Sequence, residues 1–169
     1  MKERVREAIF NLLGPGIKGH HAIDLFAGTG ALGLEALSRG AARATFVERH
    51  FPSAKLIRQN AAALEVDDLC DVIASDTFFW VQRRAQWNAD PITVFISPPY
   101  DYYIDRSEDM LSLTATLLQH APAGSMLIVE ADGRFDFNQL PQPEKWDVRR
   151  YPPAVVALRE CEEPILSEA

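Results

Sequence analysis

Ser97-Pro98-Pro99-Tyr100, Gly28-Thr29-Gly30, Glu48 and Asp76 are the residues whose types and spacing could do chemistry. Two consecutive prolines hold the backbone extended, and proline cannot continue a central strand, so a strand running into them leaves its sheet there. In an open α/β sheet that edge carries the ligand crevice. The corner would present carbonyl groups, the Ser97 hydroxyl and the flat ring of Tyr100 together. A planar base could stack on the ring while its amino group donates to a carbonyl and to the hydroxyl. An ordinary rigid loop is the other reading of Pro-Pro-Tyr, and its place at the end of the apolar run Ile92-Thr93-Val94-Phe95-Ile96 speaks against it.

The glycines follow a second apolar run, Ala22-Ile23-Asp24-Leu25-Phe26, which reads as a strand covered on both faces. Glycine at 28 and 30 admits positive φ and lets a ligand lie against bare backbone, and Gly33 would let the following helix pack closely on the sheet. A nucleotide-like ligand could sit at that helix N-terminus. Gly-x-Gly-x-x-Gly alone suits a nicotinamide or flavin enzyme equally, or a tight turn with no ligand. Glu48 ends the next strand, 18 residues beyond Gly30, where such a sheet places the acid that accepts from ribose hydroxyls. Its alternative is a surface acid paired with Arg43 or Arg49. Asp76 ends the third strand, where it could accept from an adenine amine or cap the helix through Phe78 to Val81.

Positioning these groups requires alternating strands and helices. Apolar spacing predicts helices over 3–13, with Val5, Ile9, Leu12 and Leu13 on one face, over 31–39, over 52–64, with Ala54, Ile57, Ala61 and Leu64 inward, and over 107–120. Strands are predicted at 22–26, 44–47, 71–75, 92–96 and 125–131, with a final antiparallel pair, 146–151 and 154–158, joined by Pro152-Pro153. His20 and His21 have no ligand-type residue at metal-binding spacing and read as edge residues. The stretch 162–169 reads as a frayed acidic tail.

A chain of 169 residues with 47% hydrophobic and 24% charged content can bury a core as one domain over 1–169. No apolar run approaches the roughly 20 residues that cross a bilayer, and the charged, amphipathic N-terminus is unlike a signal peptide. Cys70 and Cys161 are too few and too distant for a metal site or disulfide framework; each reads as a small buried hydrophobe in a reducing cytoplasm. The net charge of −7 argues against unselective nucleic-acid binding, yet Lys2, Arg4, Arg6 and Lys18 give the first segment a basic bias that could meet phosphates. A cytoplasmic monomer without metal or membrane contact is expected.

With these residues in place, the sequence resembles the RsmD family of bacterial 16S ribosomal RNA (guanine-N2) methyltransferases. Arg4-Val5-Arg6-Glu7-Ala8-Ile9-Phe10-Asn11 is similar to that family's opening helix, and the string from Asp24 to Ala36 to its S-adenosylmethionine loop; Ser97-Pro98-Pro99-Tyr100 matches its catalytic corner incompletely. The resemblance implies a Rossmann-like α/β fold of class I, a seven-stranded mostly parallel sheet with an antiparallel last strand. It further implies S-adenosylmethionine held among Asp24, Phe26, Gly28, Thr29, Gly30, Glu48 and Asp76, and a guanine amino group of ribosomal RNA or a small-subunit particle methylated beside Ser97, Pro98, Pro99 and Tyr100. A sulfonium methyl needs no metal, only an in-line amine held close to it, so positioning supplies most of the catalysis.

Ser97 stands where the family has Asp or Asn, and a serine oxygen is shorter in reach, uncharged and a weaker acceptor. A charged acceptor at 97 is therefore expected to be faster. The family usually opens on a basic β-hairpin ahead of the first helix, whereas this chain reaches that helix within a few residues of Met1, so weak RNA binding is expected. The Tyr151-Pro152-Pro153-Ala154 turn also differs from the family's glycine-containing one. Three further readings stay open: a catalytically weak cofactor- or RNA-binding assembly factor, which Ser97 favours; a DNA amino-methyltransferase; and, last, a nicotinamide oxidoreductase, which would not explain the corner at 97–100.

Overall fold

Val94, Phe95 and Ile96 are wholly buried, and alternate residues of their strand face opposite ways. In the computed structural model, which describes residues 2–84 and 90–163, that alternation sorts the core into two layers. Val94 and Ile96, with Ile23 and Leu25, pack under Phe78, Val81, Met110, Leu113 and Leu117. Phe95 and Ala22 pack on the other face under Val5, Ile9, Phe10, Leu32 and Ile57. Each fully buried Ile or Phe contributes about 1.5–3 kcal/mol, so the strands are held from both sides.

The elements are α1 (Glu3–Leu13), β1 (His21–Leu25), α2 (Ala31–Ser38), β2 (Arg43–Val47), α3 (Phe51–Ala63), β3 (Cys70–Ile73), α4 (Thr77–Arg83), β4 (Ile92–Ile96), α5 (Tyr102–Asp105), α6 (Ser107–His120), β5 (Met126–Asp132), β6 (Asp147–Tyr151) and β7 (Ala154–Glu160). The sheet runs β3-β2-β1-β4-β5-β7-β6. Strands β1 to β5 are parallel, and β7 is inserted antiparallel between β5 and β6. The last strand is thus reversed, as expected, and lies one place in from the sheet edge. Strand order reverses between β1 and β4, the topological switch point at which such sheets open a crevice.

Register brings the strand ends level. Leu25 pairs with both Val47 and Ile96, Val47 with Ile73, and Ile96 with Val129. The residues that follow β1, β2 and β4 are therefore Phe26, Glu48 and Ser97, level with Glu130, which lies within β5 because that strand runs on to Asp132 along β7.

Several expectations are corrected. Leu64, predicted inward, lies just past α3 and is 60% exposed, because the helix ends before that position returns to the core face. Phe26, predicted as the end of β1, has already left it with φ +57. The third strand stops at Ile73, and the short helix α5 had no sequence counterpart. Cys161 is buried, while Cys70 is only half-buried. His20 and His21 bond Thr93 and Thr45 at the start of β1, the edge opposite the strand ends described above. In the expected tail Glu162 is paired with Lys145 at 2.9 Å, and residues 164–169 lie outside the described residues. No described helix is long and apolar enough to cross a membrane.

Candidate functional site

A cavity of about 800 Å³ opens at the shared edge of the strands. Gly28, Glu48 and Asp76 line it together with Ser97, Pro98, Pro99 and Tyr100, so the structure brings the two predicted groups into one space. Phe26, Tyr102 and Glu130 also line it, and Lys2, Arg49 and His50 border it, with Val5, Thr77, Pro153 and Ala154 among the remaining wall residues. Asp24, Thr29 and Gly30 do not line it.

Gly28 has φ +59, which favours glycine, and its N–H donates to Glu48 Oε2 at 2.8 Å. Glu48 Oε1 accepts the His50 N–H at 3.1 Å. Backbone N–H groups, not Arg43 or Arg49, thus hold this carboxylate, and its remaining lone pairs can serve hydroxyl donors. Asp76 caps α4, Oδ1 accepting the Phe79 N–H at 2.9 Å. Since Asp76 also lines the cavity, capping and ligand contact are compatible uses of its two oxygens.

Asp24 lies behind the glycine loop, 1% exposed, with Oδ2 accepting the Gly33 N–H at 3.0 Å. Burial, with the Glu48 charge adding to it and the Gly33 bond opposing it, pushes its carboxyl up to about 8. Direct ligand contact gives way to anchoring the first turn of α2. A Cβ on Gly33 would sit 2.3 Å from the Phe46 ring, which explains the glycine as close helix-to-sheet packing. Thr29 is exposed, its carbonyl accepting from Asn60 at 3.4 Å. Phe26 stands edge-on to Phe78 and Tyr102, with ring centroids 5.6 and 5.8 Å apart, and so forms part of an aromatic wall.

At the proline corner the Ser97 hydroxyl donates to Glu130 Oε2 at 2.5 Å and the Tyr100 hydroxyl to Glu130 Oε1 at 2.6 Å. Glu130 is 2% exposed. Burial, then the Glu130 hydrogen bond and the charges of Glu130 and Asp132, hold the Tyr100 phenol above its ordinary value, so it remains a neutral donor. The Pro99 carbonyl accepts the Tyr102 N–H at 3.0 Å; it is committed to the start of α5. Glu130 was missed from sequence, although it ends the apolar run Leu127-Ile128-Val129 as Glu48 and Asp76 end theirs, and that signal could have found it.

Among the described residues, no group of three or more His, Cys, Asp or Glu could hold a metal. What the arrangement can do is bind a nucleoside along the acids of β2 and β3 and face it with hydroxyl and carbonyl acceptors.

The family model described as Conserved hypothetical protein 95 matches residues 1–157. The chain belongs to this family, the RsmD family. Ribosomal RNA small subunit methyltransferase D of Escherichia coli strain K12 is 40% identical to this RsmD-family chain over 98 residues, 58% of the chain and 48% of that protein. The chain spans about half the length of the curated relatives it matches. Among solved structures, yhhF from Escherichia coli has a TM-score of 0.78 at 28% identity, covering 96% of this chain and 88% of that one. An RNA methyltransferase from Salinibacter ruber, solved in complex with S-adenosyl-L-homocysteine, has a TM-score of 0.71 at 18% identity over 99% and 97% of the two chains. That likeness is one of fold, the Rossmann-like α/β fold of methyltransferases that use S-adenosylmethionine.

Proposed function

We propose that this RsmD-family chain transfers the methyl group of S-adenosylmethionine to the N2 amino group of a guanine in small-subunit ribosomal RNA. The observation that carries this reading is the single space shared by Gly28, Glu48 and Asp76 with Ser97, Pro98 and Tyr100. The donor set fits the cofactor: Glu48 offers carboxylate oxygens to ribose hydroxyls, Asp76 to an adenine amine, and Gly28 bare backbone. When bound, S-adenosylmethionine supplies an electrophilic methyl on a sulfonium, and the acidic wall suits that positive charge.

This chain's own residues do the rest. Tyr100 and the aromatic wall of Phe26 and Tyr102 offer faces and edges to a planar base, stacking being worth about 1–3 kcal/mol per base. Ser97 and the Pro98 carbonyl would accept from an amino group, which favours the tetrahedral, positively charged nitrogen of the transition state. Lys2 and Arg49, at the cavity, would meet RNA phosphates. The name of the Escherichia coli relative supports ribosomal RNA as the substrate.

The test is transfer of labelled methyl from S-adenosylmethionine to small-subunit RNA, naked and in particles, followed by nucleoside analysis. N2-methylguanosine is the expected product. Cofactor binding without transfer to either substrate would replace this reading with that of an assembly factor.

A further inference from the structure

Glu130 is a buried carboxylate in the cavity wall that none of the protein's cations neutralises among the described ion pairs; its two oxygens are met instead by the Ser97 and Tyr100 hydroxyls. We propose that Glu130 is the proton acceptor of the site, acting through the Ser97 hydroxyl, so that the pair performs the work of one charged side chain at position 97 and selects an amino group in the substrate. The proposal rests on methyl transfer to an exocyclic amine.

Register creates the pair, because Ile96 faces Val129 in the parallel ladder, so that Ser97, leaving the sheet after β4, stands beside Glu130, which stays in β5 opposite Val156 of β7. Glu130 is 33 residues from Ser97 along the chain, so the carboxylate cannot be read from the sequence around residue 97. Burying a charge without a cation is costly unless hydrogen bonds compensate, and two short hydroxyl donors do so here.

The direction of these bonds has a consequence for recognition. Serine has one proton, and it is committed to Glu130, so Ser97 Oγ can offer only lone pairs to a ligand. Such an oxygen accepts from an amine and repels a carbonyl. Donation to a carboxylate also polarises the hydroxyl and makes it a stronger acceptor. Tyr100 holds the other carboxylate oxygen in place.

The chemical step balances through the same two bonds. The amine lone pair forms the new N–C bond as the C–S bond breaks, with its electron pair staying on sulfur. The positive nitrogen then loses one proton to Ser97 Oγ while the Ser97 proton passes to Glu130 Oε2. The products are a methylated amine, a neutral thioether and a protonated Glu130, which returns its proton to solvent as the products leave. Glu130 is thus a positioning and proton-accepting residue that acts through Ser97.

The experiment compares wild type, Glu130→Gln, Ser97→Ala, Tyr100→Phe and the double variant of Glu130→Gln with Ser97→Ala. Two quantities are read: the single-turnover rate of methyl transfer to small-subunit RNA, and the affinities of guanosine and inosine monophosphates for protein saturated with S-adenosylhomocysteine. Inosine lacks the amine, so the second reading needs no turnover. Glu130→Gln should slow transfer by about 100-fold, leave S-adenosylhomocysteine affinity unchanged and abolish the preference for guanosine. Ser97→Ala should do the same, the double variant should lose no more than either alone, and Tyr100→Phe should lose less. Should Glu130→Gln fold poorly, Ser97→Ala against Tyr100→Phe still decides, since equal losses contradict a relay through Ser97. Wild-type rate and wild-type preference in Glu130→Gln, or losses that multiply in the double variant, overturn this inference alone. A wild-type chain that neither transfers methyl nor prefers guanosine overturns the proposed function and this inference with it.

Discussion

The Gly28 N–H donates to Glu48 Oε2 at 2.8 Å, which ties the loop after β1 to the end of β2 and presents one carboxylate to the cavity. If that carboxylate also binds ribose hydroxyls, Glu48→Ala loses charged hydrogen bonds worth about 1.5–3 kcal/mol of S-adenosylmethionine affinity. Glu48→Gln, which keeps an acceptor, should lose less. Calorimetric titration checks both variants, and unchanged affinity would reduce Glu48 to holding Gly28 alone.

Asp24 should make stability depend on pH in an unusual sense. Its folded carboxyl is raised from 3.8 to about 8, so between those values the unfolded chain releases a proton that the folded chain keeps. Its contribution is therefore fully present below the unfolded value and is lost as pH rises to about 8, by at most about 1.4 kcal/mol per pH unit. Asp24→Asn still accepts from Gly33 and cannot ionise. Urea unfolding at pH 5 and pH 8 should show the Asn variant gaining on wild type at the higher pH; a constant difference would mean that Asp24 is ionised throughout.

Gly33→Ala sets helix propensity against packing. Alanine gains up to about 1 kcal/mol in an α-helix over glycine, but its Cβ would lie 2.3 Å from the ring of Phe46, which is 0% exposed and has no room to swing away. Overpacking of this kind costs about 1–3 kcal/mol, so the variant should melt lower. Adding Phe46→Leu should recover part of the loss. A higher melting temperature for Gly33→Ala would show that α2 shifts freely on β2.

Ser97→Asp tests where the charge of the corner resides. Judged from the chain alone, a charged acceptor at 97 should raise the rate. In the folded protein that carboxylate would meet Glu130, whose Oε2 lies 2.5 Å from Ser97 Oγ, and two carboxylates so close cannot both ionise. The pair would hold a proton in the folded state that it releases on unfolding, so stability should fall as pH rises. Ser97→Asp is expected to give no rate gain and to melt further below wild type at pH 8 than at pH 5. A five- to thirty-fold gain in rate, about 1–2 kcal/mol, would show that Glu130 does not serve the amine.

The chain by itself determined which elements form and which residues stand at their ends. Gly28 ahead of α2, Glu48 after β2, Asp76 ahead of α4 and the prolines after β4 are all legible, because apolar periodicity, positive φ and the missing proline N–H act over a few residues. Only the tertiary structure decided what those ends face. Ser97 and Glu130 are 33 residues apart, and nothing local to either specifies that β4 and β5 pair with Ile96 opposite Val129. Asp24 has the residue type of a ligand-binding acid, yet its strand is covered on both faces and its carboxyl is turned to Gly33 rather than to the cavity. Leu64 kept the helical period of α3 but fell beyond its last turn. Such pairings and exposures follow from which apolar faces are buried against one another across the whole sheet, a collective choice with no signature in a short window of sequence.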